Sequence, residues 1–335
     1  MNLKIILNAF IISLFFLLNG AILLATVEIK AVPVSEKVYV VDGLANSGNV
    51  AFLVTEAGVL VVDSGTDLEA GQKIVALIKG KTDQPICFVV LTHYHGDHTY
   101  GLPAFPAGTK IIAQENLIAN QKREREELKS SLEQFPIQIA AIQETIGKLD
   151  KKNENQRVIE EEKLKDTESR YAANRQLQII PPTTLYKDKM TINLGNEIVE
   201  ISYPGPTHTN DNSVVYFPGQ KVIHMGDMVF HKFHPYIDWQ AGSNTANWII
   251  QLGKIANWPL GKVIPGHGAV AGKAALAEQA RYLIDLRVMV ALELKKGTTL
   301  AAMQKTNVLA QWSGLGFPDL WPFAIEAVYH ELGGK

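Results

Sequence analysis

The amino-acid sequence predicts a layered fold of mixed α/β class, in which helices pack against β-sheets. Residues 37–64 contain three short apolar runs separated by glycine- or asparagine-rich turns, the pattern of consecutive antiparallel strands. Farther along the chain, apolar strand-like runs alternate with segments of helical apolar spacing, which is typical of α/β layers. The 335 residues are 47% hydrophobic, which is enough for the buried core of one large domain or two.

The predicted elements form two blocks along the chain. The first block contains strands at residues 38–41, 50–54 and 59–62, a helix at 68–79 and a strand at 86–91. The second block contains strands at residues 190–194, 198–203, 213–217 and 221–224, a helix at 244–255, a strand at 261–264 and two or three further helices.

A highly charged segment at residues 115–178 separates the two blocks. Its apolar residues repeat at alternating spacings of three and four: Leu132, Phe135, Ile139, Ile142, Ile146 and Leu149. We expect an antiparallel helical hairpin inserted into the main fold, with Pro136 at the start of a helix or at a kink. The hairpin is expected to act as a lid, as an arm for homo-oligomer formation, or as a solvated structural insert.

Residues 1–27 are expected to lie outside the fold. Lys4 precedes an apolar stretch from Ile5 to Val27, which is the pattern of a secretory signal peptide. The stretch also approaches the ~20 residues that a membrane-spanning helix needs, so an N-terminal membrane anchor is the alternative. Both interpretations predict an exported, periplasmic protein that is either released or membrane-anchored.

The segment from His93 to His98 places four potential metal ligands within six residues, directly after the apolar run at 86–91. The four are His93, His95, Asp97 and His98. Imidazole and carboxylate groups together suit Zn²⁺ or a similar ion such as Fe or Mn. Because four protein ligands are too many for one tetrahedral ion that also holds water, the spacing indicates two metals side by side.

Three further candidate ligands follow other predicted strands, each beside a glycine: His208, Asp227 and His267. Asp63 follows the predicted strand at residues 59–62 in the same way. Because α/β active sites commonly lie where several strand ends converge, we expect these side chains to meet in one cleft.

This ordered set resembles the five motifs of the metallo-β-lactamase superfamily, over about residues 36–270 apart from the charged insert. The resemblance implies an αββα sandwich, two mixed sheets flanked by helices, within a domain at residues 36–335 that the insert interrupts. It also implies the ligands of two zinc ions per chain: His93, His95 and His208 for the first, Asp97, His98 and His267 for the second, and Asp227 bridging both. Asp63 would orient the ligand turn through hydrogen bonds.

A site of this kind implies a hydrolase. Two Zn²⁺ ions about 3.5–4 Å apart acidify a shared water, and the metal-bridging hydroxide then attacks a carbonyl or phosphoryl centre. Asp97 is expected to be catalytic, because it can orient this nucleophile and carry its proton. An exported location favours β-lactam amide hydrolysis in the periplasm. The alternatives are a lactonase, a thioesterase similar to glyoxalase II, a phosphodiesterase, an iron-dependent persulfide dioxygenase, or a metal-binding interaction protein without catalysis.

The sequence departs from the best-known zinc β-lactamases at one position. Those enzymes bind the substrate carboxylate with a lysine where this chain has Phe230. We expect the segment that follows to line the substrate cleft through His231, Lys232, His234 and Tyr236, because such loops commonly line active sites; a purely structural loop is the alternative. The net charge of −2 favours a small-molecule substrate over nucleic acid.

Overall fold

The computed structural model describes residues 28–150 and 153–334, so the predicted signal peptide or anchor at residues 1–27 lies outside the described residues. In the described part of the chain, no helix combines the length and the apolar character that crossing a membrane requires. Ala119–Ile179 form one compact unit, here called the helical unit, and the described residues on either side form a second, larger unit.

The larger unit contains two β-sheets. The first has seven strands paired in chain order: β1 (Lys30–Pro33), β2 (Val38–Asp42), β3 (Ala51–Thr55), β4 (Gly58–Val62), β5 (Ile86–Val90), β6 (Lys110–Gln114) and β7 (Thr184–Tyr186). The second has five strands: β8 (Lys189–Leu194), β9 (Glu197–Ser202), β10 (Val214–Phe217), β11 (Val222–His224) and β12 (Lys262–Ile264). The nine predicted strands correspond to β2–β5 and β8–β12, whereas β1, β6 and β7 are short strands that the sequence did not predict.

The helices of the described residues are α1 (Leu68–Lys81), α2 (Gly96–Thr99), α3 (Leu117–Lys148), α4 (Glu154–Asn174), α5 (Thr245–Ile255), α6 (Ala274–Lys295), α7 (Leu300–Met303) and α8 (Trp321–Glu331). Three of them begin at a side-chain cap that satisfies a free backbone N–H. Asp67 accepts from Ala70 before α1, Asn244 accepts from Asn247 before α5, and Thr299 accepts from Ala302 before α7.

Successive side chains of a strand point to opposite faces of its sheet, so each sheet packs against the other sheet on one face and against helices on the other. This gives four layers. Leu60 and Ile201 belong to an apolar cluster that contains residues of both sheets and therefore lies between them. Val61 packs instead in a cluster with residues of α1, and Ile223 packs in a third cluster with residues of α5, α6 and α8. This confirms the predicted αββα sandwich of two mixed sheets.

Strand direction brings the chain segments that follow several strands to one edge of each sheet. β4 and β5 are parallel, so Asp63 and the turn that begins at Leu91 leave the first sheet at the same edge. β11 and β12 are parallel, and β9 runs in the same direction because both β9 and β11 are antiparallel to β10. Asn49, between β2 and β3, joins the two sheets at this edge: its N–H donates to Gly266 O (2.7 Å) and its side chain donates to Pro265 O (2.8 Å).

The helical unit is formed by α4 and the greater part of α3. The ring of Phe135 is buried and lies 5.5 Å from that of Tyr171, and the guanidinium of Arg157 donates to Leu149 O (3.1 Å). A residue near the middle of α3 thus contacts a residue late in α4, and the residue after the end of α3 contacts one early in α4, so the two helices are antiparallel. Pro136 lies inside α3 rather than at a helix start.

The layered arrangement predicts unequal effects for two isoleucines of β9. Ile201 is 1% exposed and Ile198 is 48% exposed. We expect Ile201→Ala to lower the free energy of unfolding by about 2–5 kcal/mol, because it opens a cavity between the sheets. Ile198→Ala should cost about 1 kcal/mol or less. Urea denaturation measures both, and equal losses would contradict the assignment of the inner face.

Candidate metal centre

The ligand turn is held in place by the buried carboxylate of Asp63. Asp63 Oδ1 accepts from the backbone N–H of Thr92 (2.7 Å), and Oδ2 accepts from Thr92 Oγ1 (2.8 Å) and lies 2.8 Å from His98 Nδ1. The φ angle of Asp63 is 64°, a left-handed conformation that Asp tolerates better than most residues. One carboxylate therefore fixes both ends of the turn.

The structure brings the seven predicted ligands together in two groups. Within each group, ligand atoms lie within 4.8 Å of one another. The first group is His93, His95, His208 and Asp227, and the second is Asp97, His98 and His267.

The imidazoles of the first group converge through one nitrogen each. His93 Nε2 and His208 Nε2 lie 2.9 and 3.1 Å from His95 Nδ1. Their other nitrogens face hydrogen-bond acceptors: Thr92 Oγ1 at 3.0 Å from His93 Nδ1, Asp238 Oδ2 at 3.1 Å from His95 Nε2, and Tyr236 O at 2.8 Å from His208 Nδ1.

This arrangement sets the tautomer of each imidazole. In a neutral ring only one nitrogen carries a proton, and the acceptors outside the cluster take that N–H. The converging nitrogens of neutral rings then present lone pairs to one another. Burial would lower the pKa of His95, but Asp238 raises it, so either a proton on His95 or a metal cation relieves this contact. Metal-binding histidines are oriented in this way by hydrogen bonds from the nitrogen that does not bind the metal.

Asp227 lies between the two groups. Its Oδ1 is 3.1 Å from His98 Nε2, and its Oδ2 is 3.4 Å from His267 Nε2. The same Oδ2 is 3.6 Å from His208 Nε2 and 3.8 Å from His93 Nε2. One carboxylate thus faces ligand atoms of both groups, which is the position a bridging ligand requires.

Burial and charge shift the ionisation of the cluster. Burial lowers the pKa of His93 well below its usual value and lowers the pKa of His208 to about 4, so both rings are neutral, the form that binds a metal. Burial alone would raise the pKa of Asp97 and Asp227, but the neighbouring His98 and His267 outweigh it and hold both carboxyl pKa values well below their usual range.

The same carboxylates act on the second group of imidazoles. Burial would lower the pKa of His267, but Asp227 and Asp97 raise it to about 9, and they raise the pKa of His98 well above its usual value. Without a metal ion, protons on His98 and His267 balance the two carboxylates. A divalent cation can replace those protons, since metal binding to such sites releases protons.

Three buried atoms of the cluster support this interpretation. In the described part of the chain, Asp97 Oδ2, His98 Nε2 and Asp227 Oδ1 make no hydrogen bond of acceptable geometry, although His98 Nε2 lies 3.3 Å from Asp97 Oδ2 and 3.1 Å from Asp227 Oδ1. Buried polar atoms are normally satisfied, and unsatisfied ones require an explanation such as an ion. Imidazole and carboxylate donors in this arrangement fit a divalent metal.

Two glycines allow the surrounding chain to approach the cluster. A Cβ at position 48 would overlap the ring of His98, and a Cβ at position 266 would overlap Asp227 Oδ1. Gly48 also donates its N–H to Asp97 O (3.2 Å). Only glycine fits where the backbone passes this close to a ligand side chain.

Sequence reasoning missed Asp238, which is buried and positions part of the centre. Asp238 Oδ2 accepts from Tyr94 Oη (2.6 Å) and from His95 Nε2, and Oδ1 accepts from the N–H of Ala241 (2.9 Å). Burial would raise the pKa of Asp238, but the hydrogen bond and charge of His95, together with the hydrogen bonds from Tyr94 and Ala241, outweigh it and lower the value to about 2. The sequence feature that could have indicated its role is a carboxylate within the apolar segment at residues 235–239.

The four residues predicted to contact substrate lie in different surroundings. The ring of Tyr236 lies 5.7 Å from that of His95. His231 Nδ1 is 2.8 Å from Ala269 O, and Lys232 forms an ion pair with Glu278. His234 is fully buried, with Nδ1 2.9 Å from Tyr282 Oη, a placement that differs from the expected open cleft. Substrate contact by this segment stays a prediction.

The close approach of Gly48 to His98 predicts a loss of metal affinity without any change of ligand. Gly48→Ala should weaken metal binding at least about tenfold, because the ring of His98 must move. Gly253→Ala is the matched control, since a Cβ at this exposed position of α5 meets nothing within 4 Å. The control should bind metal as the wild type does and gain up to about 1 kcal/mol of stability. Titration with Zn²⁺ against a chelating indicator measures both, and equal affinities would contradict the geometry.

Comparison with known proteins places this centre in a family. A family model described as the metallo-beta-lactamase superfamily matches residues 44–281. A linear primary-alkylsulfatase from Pseudomonas sp. is 23% identical over 242 residues, which cover 68% of this chain and 43% of that protein. A type 2 metallo-beta-lactamase from Bacillus cereus is 23% identical over 70% of this chain and 72% of its own length.

A solved structure shares the fold over most of the chain. The stereoselective inverting sec-alkylsulfatase from Pseudomonas sp. superimposes with a TM-score of 0.63 at 16% identity, covering 91% of this chain and 50% of that one. This chain therefore spans half or less of the length of the two alkylsulfatases that it matches. Because the family model spans residues 44–281 of 335, the chain belongs to the metallo-β-lactamase superfamily.

Proposed function

We propose that this chain is a zinc-dependent hydrolase that cleaves a carbonyl substrate, with the amide bond of a β-lactam as the first substrate class. The observation that supports this most strongly is the convergence of seven ligand side chains, among them His93, His95 and His208, whose hydrogen-bond partners leave the converging ring nitrogens facing inward. Membership of the metallo-β-lactamase superfamily supports hydrolysis as the reaction type.

The metal supplies the electrophilic part of the chemistry. A pair of divalent ions held by these residues would lower the pKa of a water towards 7 and polarise the oxygen of the scissile bond. The protein contributes the geometry: His98, His95 and His208 are fixed by the hydrogen bonds that they donate to Asp63, Asp238 and Tyr236 O, so little reorganisation is needed during reaction.

Asp97 is the proposed proton carrier. Its Oδ2 is buried within the cluster, 3.3 Å from His98 Nε2 and 3.2 Å from His267 Nε2, whereas the side chain as a whole is 11% exposed. The low pKa of its carboxyl keeps Asp97 deprotonated, so that Oδ2 can accept a proton from the attacking water. The same oxygen can then deliver the proton to the leaving group.

Sulfate-ester hydrolysis is a second candidate substrate class. Two alkylsulfatases are among the proteins that this chain resembles, and one of them superimposes over 91% of the chain. A sulfate ester requires the same stabilisation of developing negative charge as a carbonyl substrate. The substrate walls therefore decide between the two classes, since function depends on the site and not on the fold.

Hydrolysis by the metal-loaded protein tests the proposal. The substrates are a chromogenic cephalosporin, an acyl homoserine lactone, an acyl thioester and an alkyl sulfate, each with Zn²⁺, Mn²⁺ or Fe²⁺ and with a chelator added. We expect chelator-sensitive turnover of at least one substrate.

Asp97→Asn should reduce kcat about 100-fold or more, because the proton acceptor is lost. Asp319→Asn, at an exposed aspartate, is the matched control and should leave kcat unchanged.

Two outcomes would contradict this function. Absence of turnover with every metal would favour a metal-binding protein without catalysis. Oxygen uptake with a persulfide substrate, at about one iron per chain, would favour the dioxygenase alternative.

We also propose that residues 1–27 direct export to the periplasm. The apolar stretch after Lys4 supports this, since it has the pattern of a signal peptide or an anchor. Expression of the full chain in a Gram-negative host should place the protein in the periplasmic or membrane fraction, and a chain that begins at Glu28 should stay in the cytoplasm. Equal distribution of the two chains would contradict the proposal.

A further inference from the structure

The part of the chain beyond the family match pairs through Gly316 with the loop at residues 230–234, beside the metal centre. Gly316 donates its N–H to Lys232 O (2.9 Å), and Gly316 O accepts from the N–H of His234 (2.9 Å). A Cβ at position 316 would overlap the ring of Phe233, so glycine is required for this approach. The family model ends at residue 281, so this segment is an addition to the part of the fold that the family model describes.

The loop that pairs with Gly316 also pairs with a predicted metal ligand. His231 donates its N–H to His267 O (2.9 Å), and the ring of Phe230 stacks on that of His267 with a centroid distance of 5.1 Å and an interplanar angle of 16°. The loop at residues 230–234 is therefore fixed between His267 on one side and Gly316 on the other.

Phe317 follows Gly316 in a strained conformation. Its φ angle is 57°, in the left-handed region that a bulky side chain rarely adopts. Its ring stacks on Phe233 (4.5 Å) and lies edge-on to His267 (6.3 Å, 81°), and the residue is half-buried. Such strain persists only where the surrounding structure imposes it, and it is concentrated at functional sites.

On this side of the centre, among the described residues, the side chains beside His267 are aromatic rings, and the nearby lysine is already paired. Phe230 and Phe317 both contact His267, and Phe233 supports Phe317 from behind. Lys232, the cation within this loop, already forms an ion pair with Glu278 of α6. A substrate carboxylate would have to compete with that ion pair, whereas an alkyl or aryl group would find apolar surface.

We propose that Phe317 is a specificity-determining residue, which forms an apolar wall beside His267 and selects substrates that carry an alkyl or aryl group, rather than a carboxylate, next to the scissile bond. This rests on the proposed hydrolase function, because a substrate wall has a role only if the centre acts on a substrate. Within that function it favours the alkyl sulfate ester over the β-lactam, since penicillins and cephalosporins carry a carboxylate beside the lactam nitrogen.

Binding of small thiols to the zinc-loaded protein tests this without requiring turnover. Benzyl mercaptan carries an aromatic arm and mercaptoacetate carries a carboxylate, and both bind metals through sulfur. By titration calorimetry we expect the wild type to bind benzyl mercaptan at least about tenfold more tightly than mercaptoacetate. Phe317→Asn should reduce this ratio about tenfold, since Asn tolerates the left-handed conformation but offers no ring.

Two further variants make the result decisive. Phe317→Leu keeps part of the apolar surface and should give an intermediate ratio, and it serves if Phe317→Asn does not fold. Lys221→Asn is the matched control: it replaces another left-handed residue, with φ of 52°, at the opposite end of β11 from Asp227, and should leave the ratio unchanged.

The outcomes separate the wall from the hydrolase function. A wild-type ratio in folded Phe317→Asn or Phe317→Leu would overturn the proposal, and a lower melting temperature with that ratio would assign Phe317 a structural role. A changed ratio in a protein that hydrolyses no substrate would preserve the apolar wall and reject the hydrolase function.

Discussion

Burial of charged groups among imidazoles is the constraint on which the rest of this structure depends. Asp227 and five histidines lie together with little exposure to solvent, and an uncompensated buried charge costs several kcal/mol. The protein compensates by giving four of the imidazoles an outward-facing acceptor, such as Asp63 for His98 and Asp238 for His95. The inward-facing nitrogens and Asp227 are then balanced by protons or by a metal cation, so the same hydrogen bonds that stabilise the fold also define the metal centre.

In the αββα architecture each ligand follows a strand whose direction the sheet already fixes. Bringing these side chains together therefore costs little further conformational entropy. The two sheets carry different ligands, and Asn49 holds their common edge through hydrogen bonds to Gly266 and Pro265. Gly48 and Gly266 admit the backbone next to His98 and Asp227, where any side chain would displace a ligand. The centre is thus assembled from loops and short helical turns that the two sheets position.

The sequence predicted the parts of this structure that local pattern determines. Apolar runs predicted β2–β5 and β8–β12, and a ligand type after each of several strands predicted which side chains converge. The short strands β1 and β7 escaped prediction because three or four residues carry too little periodicity. Asp238 and Phe317 escaped for another reason: their roles depend on contacts with residues 143 and 50 positions away, His95 and His267, which no local pattern encodes.

We propose that two metal ions share Asp227, and anomalous X-ray scattering tests this proposal. Crystals of the zinc-loaded protein, with data collected on both sides of the zinc absorption edge, should show two anomalous peaks about 3.5–4 Å apart. One peak should lie among His93, His95 and His208, and the other among Asp97, His98 and His267, with Asp227 touching both. A single peak, or peaks at other side chains, would contradict the proposal that Asp227 bridges two metal ions.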